Sequence, residues 1–384
     1  MRMAYKKAIS EYLLFLASHP QNFQSISDRI MAFHGGINVM NDITSILEIS
    51  SLQTAQFILA DLKFKHKKYD QGHDILKANG ASPSMLLNYA RDLALVKEFM
   101  KAEKILMEII QSNENEALRT EAVFEIAKIL ESKIIINSMD LPISGFHSKN
   151  PFLSSPYLPI KEEATMALEQ SMNIYDSLRV SKKNAQATYR LAEVQFRVLG
   201  DLDGAYYLYD EAHSHGNSVG LRLDAGLGMI NIHIAKGDLK SAEETFQQLK
   251  KVNPNNLEYD VKLAQIKFYQ GDFEKTDVLL RQIIEDLPSN HVIYNDMLNV
   301  LSILIAFRHN QEEFKEFASI QLNIQQNKRT EAMEKLTTLF DSNEIYIADM
   351  CRYQQAWLTY LQNDVETVKN QIQLIQNDTI FKEM

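Results

Sequence analysis

Residues 223–256, LDAGLGMINIHIAKGDLKSAEETFQQLKKVNPNN, are followed by residues 257–290, LEYDVKLAQIKFYQGDFEKTDVLLRQIIEDLPSN. Written one above the other, the two stretches superpose at a spacing of 34 residues. Gly237-Asp238-Leu239 falls on Gly271-Asp272-Phe273, Leu249 on Ile283, and Pro254 on Pro288. A fixed period of this length marks an array of helix-turn-helix units. In the first copy Leu227, Ile230 and Ile234 recur at helical spacing, Gly237-Asp238 makes a turn, and Ala242, Phe246 and Leu249 form a second helical face. Pro254 then ends the helix, because proline lacks an amide donor and its ring clashes with the preceding turn. The second copy repeats the plan with Leu263, Ala264, Phe268, Leu280, Ile283 and Pro288.

Other stretches match in part. Gln53 to about Ser82 offers Leu59-Ala60, Phe64, Tyr69, Gly72 and Leu76, and Pro83 to about Asn115 offers Tyr89-Ala90, Phe99, Ala102, Leu106 and Ile109. Ala185 to about Ser218 offers Leu191-Ala192, Phe196, Gly200-Asp201-Leu202, Ala205, Tyr209 and Ala212, with one residue more than the standard turn between the two helices. Two degenerate units follow, through Ala332, Leu336 and Leu339 and through Ala356, Tyr360, Val368, Ile372 and Ile375. The small residues have a mechanical reason. A methyl at a helix crossing lets the backbones approach, and a larger side chain overpacks the contact.

A large apolar then a small residue in the first helix, a Gly-Asp-aromatic turn, a small residue and an aromatic in the second helix, and a closing proline resemble the tetratricopeptide repeat family. With the Asn295-Asp296 start to a following helix, the regular segment also resembles bacterial tetratricopeptide proteins, over about a third of the chain. The resemblance implies an all-α fold, a right-handed α-solenoid of about seven to nine antiparallel helix pairs. The expected organisation is a helical half-repeat with connecting helices over 1–52, repeats over 53–133, a Pro-rich insertion over 134–160, repeats over 161–290 (most regular over 185–290), and degenerate repeats over 291–384. Ala8, Tyr12 and Pro20 sit at the offsets of Ala242, Phe246 and Pro254, so the chain is expected to open on a second-position helix, as a truncated longer array or one that pairs through this end.

The insertion holds Pro142, Pro151, Pro156 and Pro159, with Gly145 and the aromatics Phe146, Phe152 and Tyr157. It separates a first helix predicted over 121–132 from its partner predicted over 161–178. Loops this long are commonly functional. The bland expectation is that its aromatics pack on the stack and fill a gap.

Composition narrows the function. A net charge of -10 and a pI near 5.5 argue against nucleic acid, which needs a concentrated basic surface. The densest basic clusters, Lys65-His66-Lys67-Lys68 and Lys182-Lys183, are read as helix ends, where cations favour the negative end of the helix dipole. The longest apolar run, Met297 to Phe307, is far short of the ~20 residues of a spanning helix, so no transmembrane segment is expected. Cys351 is the one cysteine and is placed on the buried side of a late helix beside Met350 and Tyr353, as a core residue. The residues suit the cytoplasm or, with a leader lost by truncation, the periplasm.

Catalytic patterns are missing. The histidines show no metal-ligand spacing; His213 and His215 lie two apart near a helix end, and His66 and His73 straddle a turn. There is no Gly-rich phosphate loop, nucleophile elbow or Cys-x-x-Cys, and pairs such as Glu162-Glu163 and Glu243-Glu244 point apart on a helix. No cofactor and no metal are expected, and the chain is expected not to be an enzyme. In the family resembled, the first helices of successive pairs line a groove that accepts a partner peptide or helix. Carried onto this chain, the exposed groove positions are Gln186, Tyr189, Glu193 and Arg197, then Asp224, Asn231 and Ala235, then Glu258, Gln265 and Tyr269. The implied function is a scaffold that binds a protein or peptide partner in this groove, and the alternative is a peptide-responsive regulator. Leu227 and Val261 stand where some members carry lysines that clamp a chain-terminal carboxylate, so a chaperone-tail binder is not expected.

Overall fold

A computed structural model describes residues 2–33, 37–112, 114–134, 150–158, 164–254, 256–342, 344–362 and 364–375. Among them the chain is all-α, with twenty α-helices and no strand. It forms two compact units, Met1–Leu130 and Glu131–Met384. The first contains α1 (Arg2–Ser18), α2 (Phe23–Met31), α3 (Ile37–Ile49), α4 (Gln53–Lys65), α5 (Tyr69–Ala78), α6 (Pro83–Leu95), α7 (Phe99–Ser112) and most of α8 (Glu116–Ile134). The second contains α9 (Thr165–Lys182), α10 (Ala185–Val194), α11 (Leu202–His215), α12 (Val219–Lys236), α13 (Leu239–Val252), α14 (Leu257–Tyr269), α15 (Phe273–Asp286), α16 (Tyr294–Ala306), α17 (Gln311–Gln325), α18 (Arg329–Leu336), α19 (Ile345–Tyr360) and α20 (Val365–Gln373). Within each unit, helices pack as hairpins in file, the local arrangement of an α-solenoid.

One backbone turn closes five of these hairpins. Gly237 and Gly271 adopt φ of 77° and 69°, and so do Lys67, Lys97 and Asn327 in kind, at 58°, 65° and 59°. In each case the amide of the left-handed residue donates three residues back, as Gly271 does to Phe268 at 2.9 Å. The next amide donates five residues back, as Asp272 does to Lys267 at 3.0 Å. This satisfies helix-end carbonyls that have no partner inside the helix. In the regular units the aspartate then caps the second helix. Asp238 Oδ1 accepts from the Ser241 amide at 3.0 Å, and Asp272 Oδ1 from Lys275 at 3.1 Å.

The turn at Gly200-Asp201 is built the same way but one residue longer, and the extra residue is not in the turn. Gly200 donates four residues back to Phe196 at 3.2 Å, and Asp201 six back to Gln195 at 2.9 Å. Residues Gln195–Leu199 form a π-helical turn that continues α10. The expected longer connection is thus a widened helix end, which widens the helix beside Phe196 and Arg197.

Small residues sit at the crossings as their spacing predicts. Ala60, Ala90, Ala102, Ala192, Ala205, Ala242 and Ala264 are all fully buried. Gly228 extends the pattern, since a Cβ there would lie 2.5 Å from the Tyr209 ring. Beyond residue 290 the period breaks. The single helix α16 packs on α15 and α19, while the next first-position helix, α17, packs directly on α14. Cys351 is fully buried, and burial pushes its thiol pKa up. The Lys65-to-Lys68 and Lys182-Lys183 clusters fall at the ends of α4 and α9. No helix among the described residues is long and apolar enough to cross a membrane.

Candidate binding groove

The first helices α10, α12, α14 and α17 of the second unit line one face, held by α10–α12, α12–α14 and α14–α17 contacts. At one end of this unit Glu131 is buried and joined to Arg190, whose Nε lies 3.0 Å from Oε2. The Tyr175 hydroxyl donates to the same oxygen at 2.7 Å. Further along, Glu193 accepts from Arg197 Nη1 at 3.2 Å and from the Tyr209 hydroxyl. Burial beside this carboxylate raises the pKa of Tyr209 and Tyr189, so both hydroxyls stay protonated.

Residues 150–158 of the insertion lie on this face. The Gln265 amide donates to the Pro151 carbonyl, and the Tyr269 hydroxyl donates to the Phe152 carbonyl at 3.1 Å. Gln325 Nε2 donates to the Ser154 carbonyl at 2.7 Å and Arg197 Nε to the Pro156 carbonyl at 3.2 Å. The Leu158 amide donates to the Arg197 carbonyl at 2.8 Å, and Asn150 Nδ2 to the Asp296 carbonyl at 3.1 Å. Phe152 is fully buried with its ring edge-on to Phe268 at 5.5 Å, and Tyr157 meets Phe196 at 5.6 Å. Each buried aromatic contributes about 1.5–3 kcal/mol. The expectation that Phe152 and Tyr157 fill a gap describes their packing; Phe146, Pro142, Gly145 and Pro159 lie outside the described residues.

This segment divides the expected groove positions. Gln186, Asp224 and Glu258 are exposed, and Tyr189, Glu193, Arg197 and Asn231 are half-buried. Gln265, Tyr269 and Ala235 are buried, against the expectation that they are exposed. For Gln265 and Tyr269 the reason is the cover of Pro151 and Phe152. Between segment and helices remains a cavity of about 450 Å³, roofed by Pro151, Ser154, Ser155 and Pro156. Its floor includes Tyr189, Glu193, Arg197, Asp224, Asn231 and Lys262. Lys262 lies three residues before Gln265 and outside the expected groove positions; the family pattern carries no signal for it. His213 Nδ1 hydrogen-bonds the Arg222 carbonyl in the first turn of α12 at 2.7 Å, and His215 Nδ1 the Glu211 carbonyl in the last turn of α11 at 3.0 Å. No cluster of three or more His, Cys, Asp or Glu able to hold a metal occurs among the described residues.

Helical hairpins stacked in file and lining a groove with their first helices define a helical-repeat array. Residues 199–266 match the family model described as Tetratricopeptide repeat, and the chain carries tetratricopeptide repeats there. A tetratricopeptide repeat protein from Parabacteroides merdae ATCC 43184 is similar at 13% identity, over 78% of this chain and 100% of that one, with a TM-score of 0.43. Yeast Tom70 is similar at 10% identity over 100% of this chain and 93% of its own, with a TM-score of 0.23. The P58(IPK) TPR domain is similar at 11% identity over 94% and 95%, with a TM-score of 0.21.

Proposed function

We propose that the protein is a non-enzymatic interaction scaffold whose second unit holds an extended segment of a partner protein along Gln186, Tyr189, Glu193, Arg197, Asp224, Asn231 and Glu258, while Gln265 and Tyr269 hold the chain's own residues 151–152 beside it. The observation that supports this reading is the grip of the same face on residues 150–158. Four side-chain donors reach the backbone carbonyls of Pro151, Phe152, Ser154 and Pro156, and two aromatic rings seat beside Phe268 and Phe196. Backbone-directed donors give affinity for any extended chain, and ring pockets add selectivity. The net charge of -10 favours a protein over a nucleic acid as the partner.

The test places a photo-crosslinking residue at exposed groove positions, Gln186 and Glu258, and at exposed positions on a second helix, Glu244 and Lys251. Adducts to the same partner from the groove pair alone support the proposal. Equal adducts from both pairs, or adducts only from Glu244 and Lys251, overturn it. The roofed cavity favours a second reading, a regulator that responds to a small peptide. Peptide-dependent compaction in small-angle scattering supports that reading, and an unchanged profile removes it.

A further inference from the structure

The cavity under residues 151–156 contains charges that the fold itself leaves unanswered. Arg197 and Glu193 satisfy one another. Lys262 and Asp224 do not, since neither has an ion pair or a side-chain hydrogen bond. Lys262 is half-buried and closely surrounded by protein, and desolvation lowers its pKa to about 8 against weak support from Glu258 one turn earlier. Gln265 is 3% exposed, and its amide nitrogen is spent on Pro151, so it serves the roof. An unpaired ammonium held in a crowded cavity costs stability. A fold retains such groups cheaply when a ligand completes them.

We infer that this cavity is a site for a small zwitterion, a free amino acid or a peptide of two or three residues, whose carboxylate meets Lys262 and whose ammonium meets Asp224. The location rests on the groove assignment; the ligand is independent of any protein partner. Its volume of about 450 Å³ is within the range of small-molecule sites. Phe196, Leu227 and Ile234 supply an apolar wall for one side chain, and Tyr189 and Asn231 offer further hydrogen bonds. The charge set selects against the alternatives. A polyanion such as a nucleotide meets Glu193 and Asp224, and a plain cation meets Lys262 and Arg197. The roof, fixed at the Pro151, Ser154 and Pro156 carbonyls, selects for a short ligand.

The test is calorimetric titration of the full chain with the tripeptide Ala-Leu-Ala, its N-acetyl and C-terminal amide forms, and free leucine. Saturable heat from the tripeptide or from leucine is expected, the tighter of the two identifying the source. Capping either end should weaken tripeptide binding about tenfold or more, the loss of one charge-assisted hydrogen bond. Lys262→Met should bind acid and amide alike, and Asp224→Asn should bind amine and acetylated forms alike. Asp224 is exposed and Lys262 is unpaired, so both variants keep the fold, which far-UV circular dichroism checks. No heat from either ligand, equal binding of capped and free forms, or unchanged selectivity in both variants overturns the inference. A partner crosslinked at Gln186 with no heat here leaves the scaffold standing and removes this site alone.

Discussion

At the scale of the residue, Lys262 carries the sharpest consequence. Glu258 faces it from its own helix, Glu193, Arg197 and Tyr189 from α10 and its π-turn, Asp224 from α12, and Tyr269 from the end of α14. Its pKa of about 8 lies below the ordinary 10.5, so between these values the unfolded chain binds more protons than the folded one. Stability from this group therefore rises as pH climbs from about 8 to 10.5. Lys262→Met should raise stability at pH 7 by on the order of 1–2 kcal/mol after discounting for the solvent the amine still sees, seen as a higher melting temperature. That advantage should shrink as the pH approaches 10, and a constant gap across thermal melts would contradict the assignment. Gly228 gives a steric counterpart. Gly228→Ala drives a methyl into the rigid Tyr209 ring and should cost about 1–3 kcal/mol, read from urea midpoints.

At the scale of the element, the hairpin turn shows where sequence is transparent and where it is opaque. Gly237-Asp238 and Gly271-Asp272 announce a left-handed residue followed by a cap, because glycine tolerates positive φ and aspartate accepts a backbone amide. Lys67 and Lys97 adopt the same geometry with no such signature, since the helices they join hold them there against their own preference. Lys97→Gly should therefore stabilise the first unit by about 0.5–1 kcal/mol, seen as a higher denaturation midpoint. The extra residue near Gly200 was readable as a count but not as a place. Length alone does not distinguish a longer turn from a π-turn inside the helix. Ala242→Leu tests the crossing alignment itself: overpacking should cost about 1–3 kcal/mol, and an unshifted melt would break the alignment.

At the scale of the whole molecule, the second unit is organised around a segment that belongs to none of its hairpins. Phe152 belongs to the same apolar core as Phe268, Phe314 and Phe317, and Leu153 is buried with it. Phe152→Ala should cost about 3–5 kcal/mol. It should also raise amide exchange in α14 and α17, where Gln265, Tyr269 and Gln325 hold the segment. Unchanged exchange there would mean the roof is not anchored by this ring. The hairpins, their crossings and the buried cysteine were determined by the sequence alone. Each depends on residues one helical turn or one repeat apart, and such spacing is visible as a period. Tertiary structure alone decided that Pro151 lies against Gln265, 114 positions on, that Gln265 and Tyr269 are covered, and that Lys262 faces a partly roofed cavity. Contacts between distant, non-repeating segments leave no periodic trace in a chain; they are chosen by the shape and the unpaired donors that the stacked helices present.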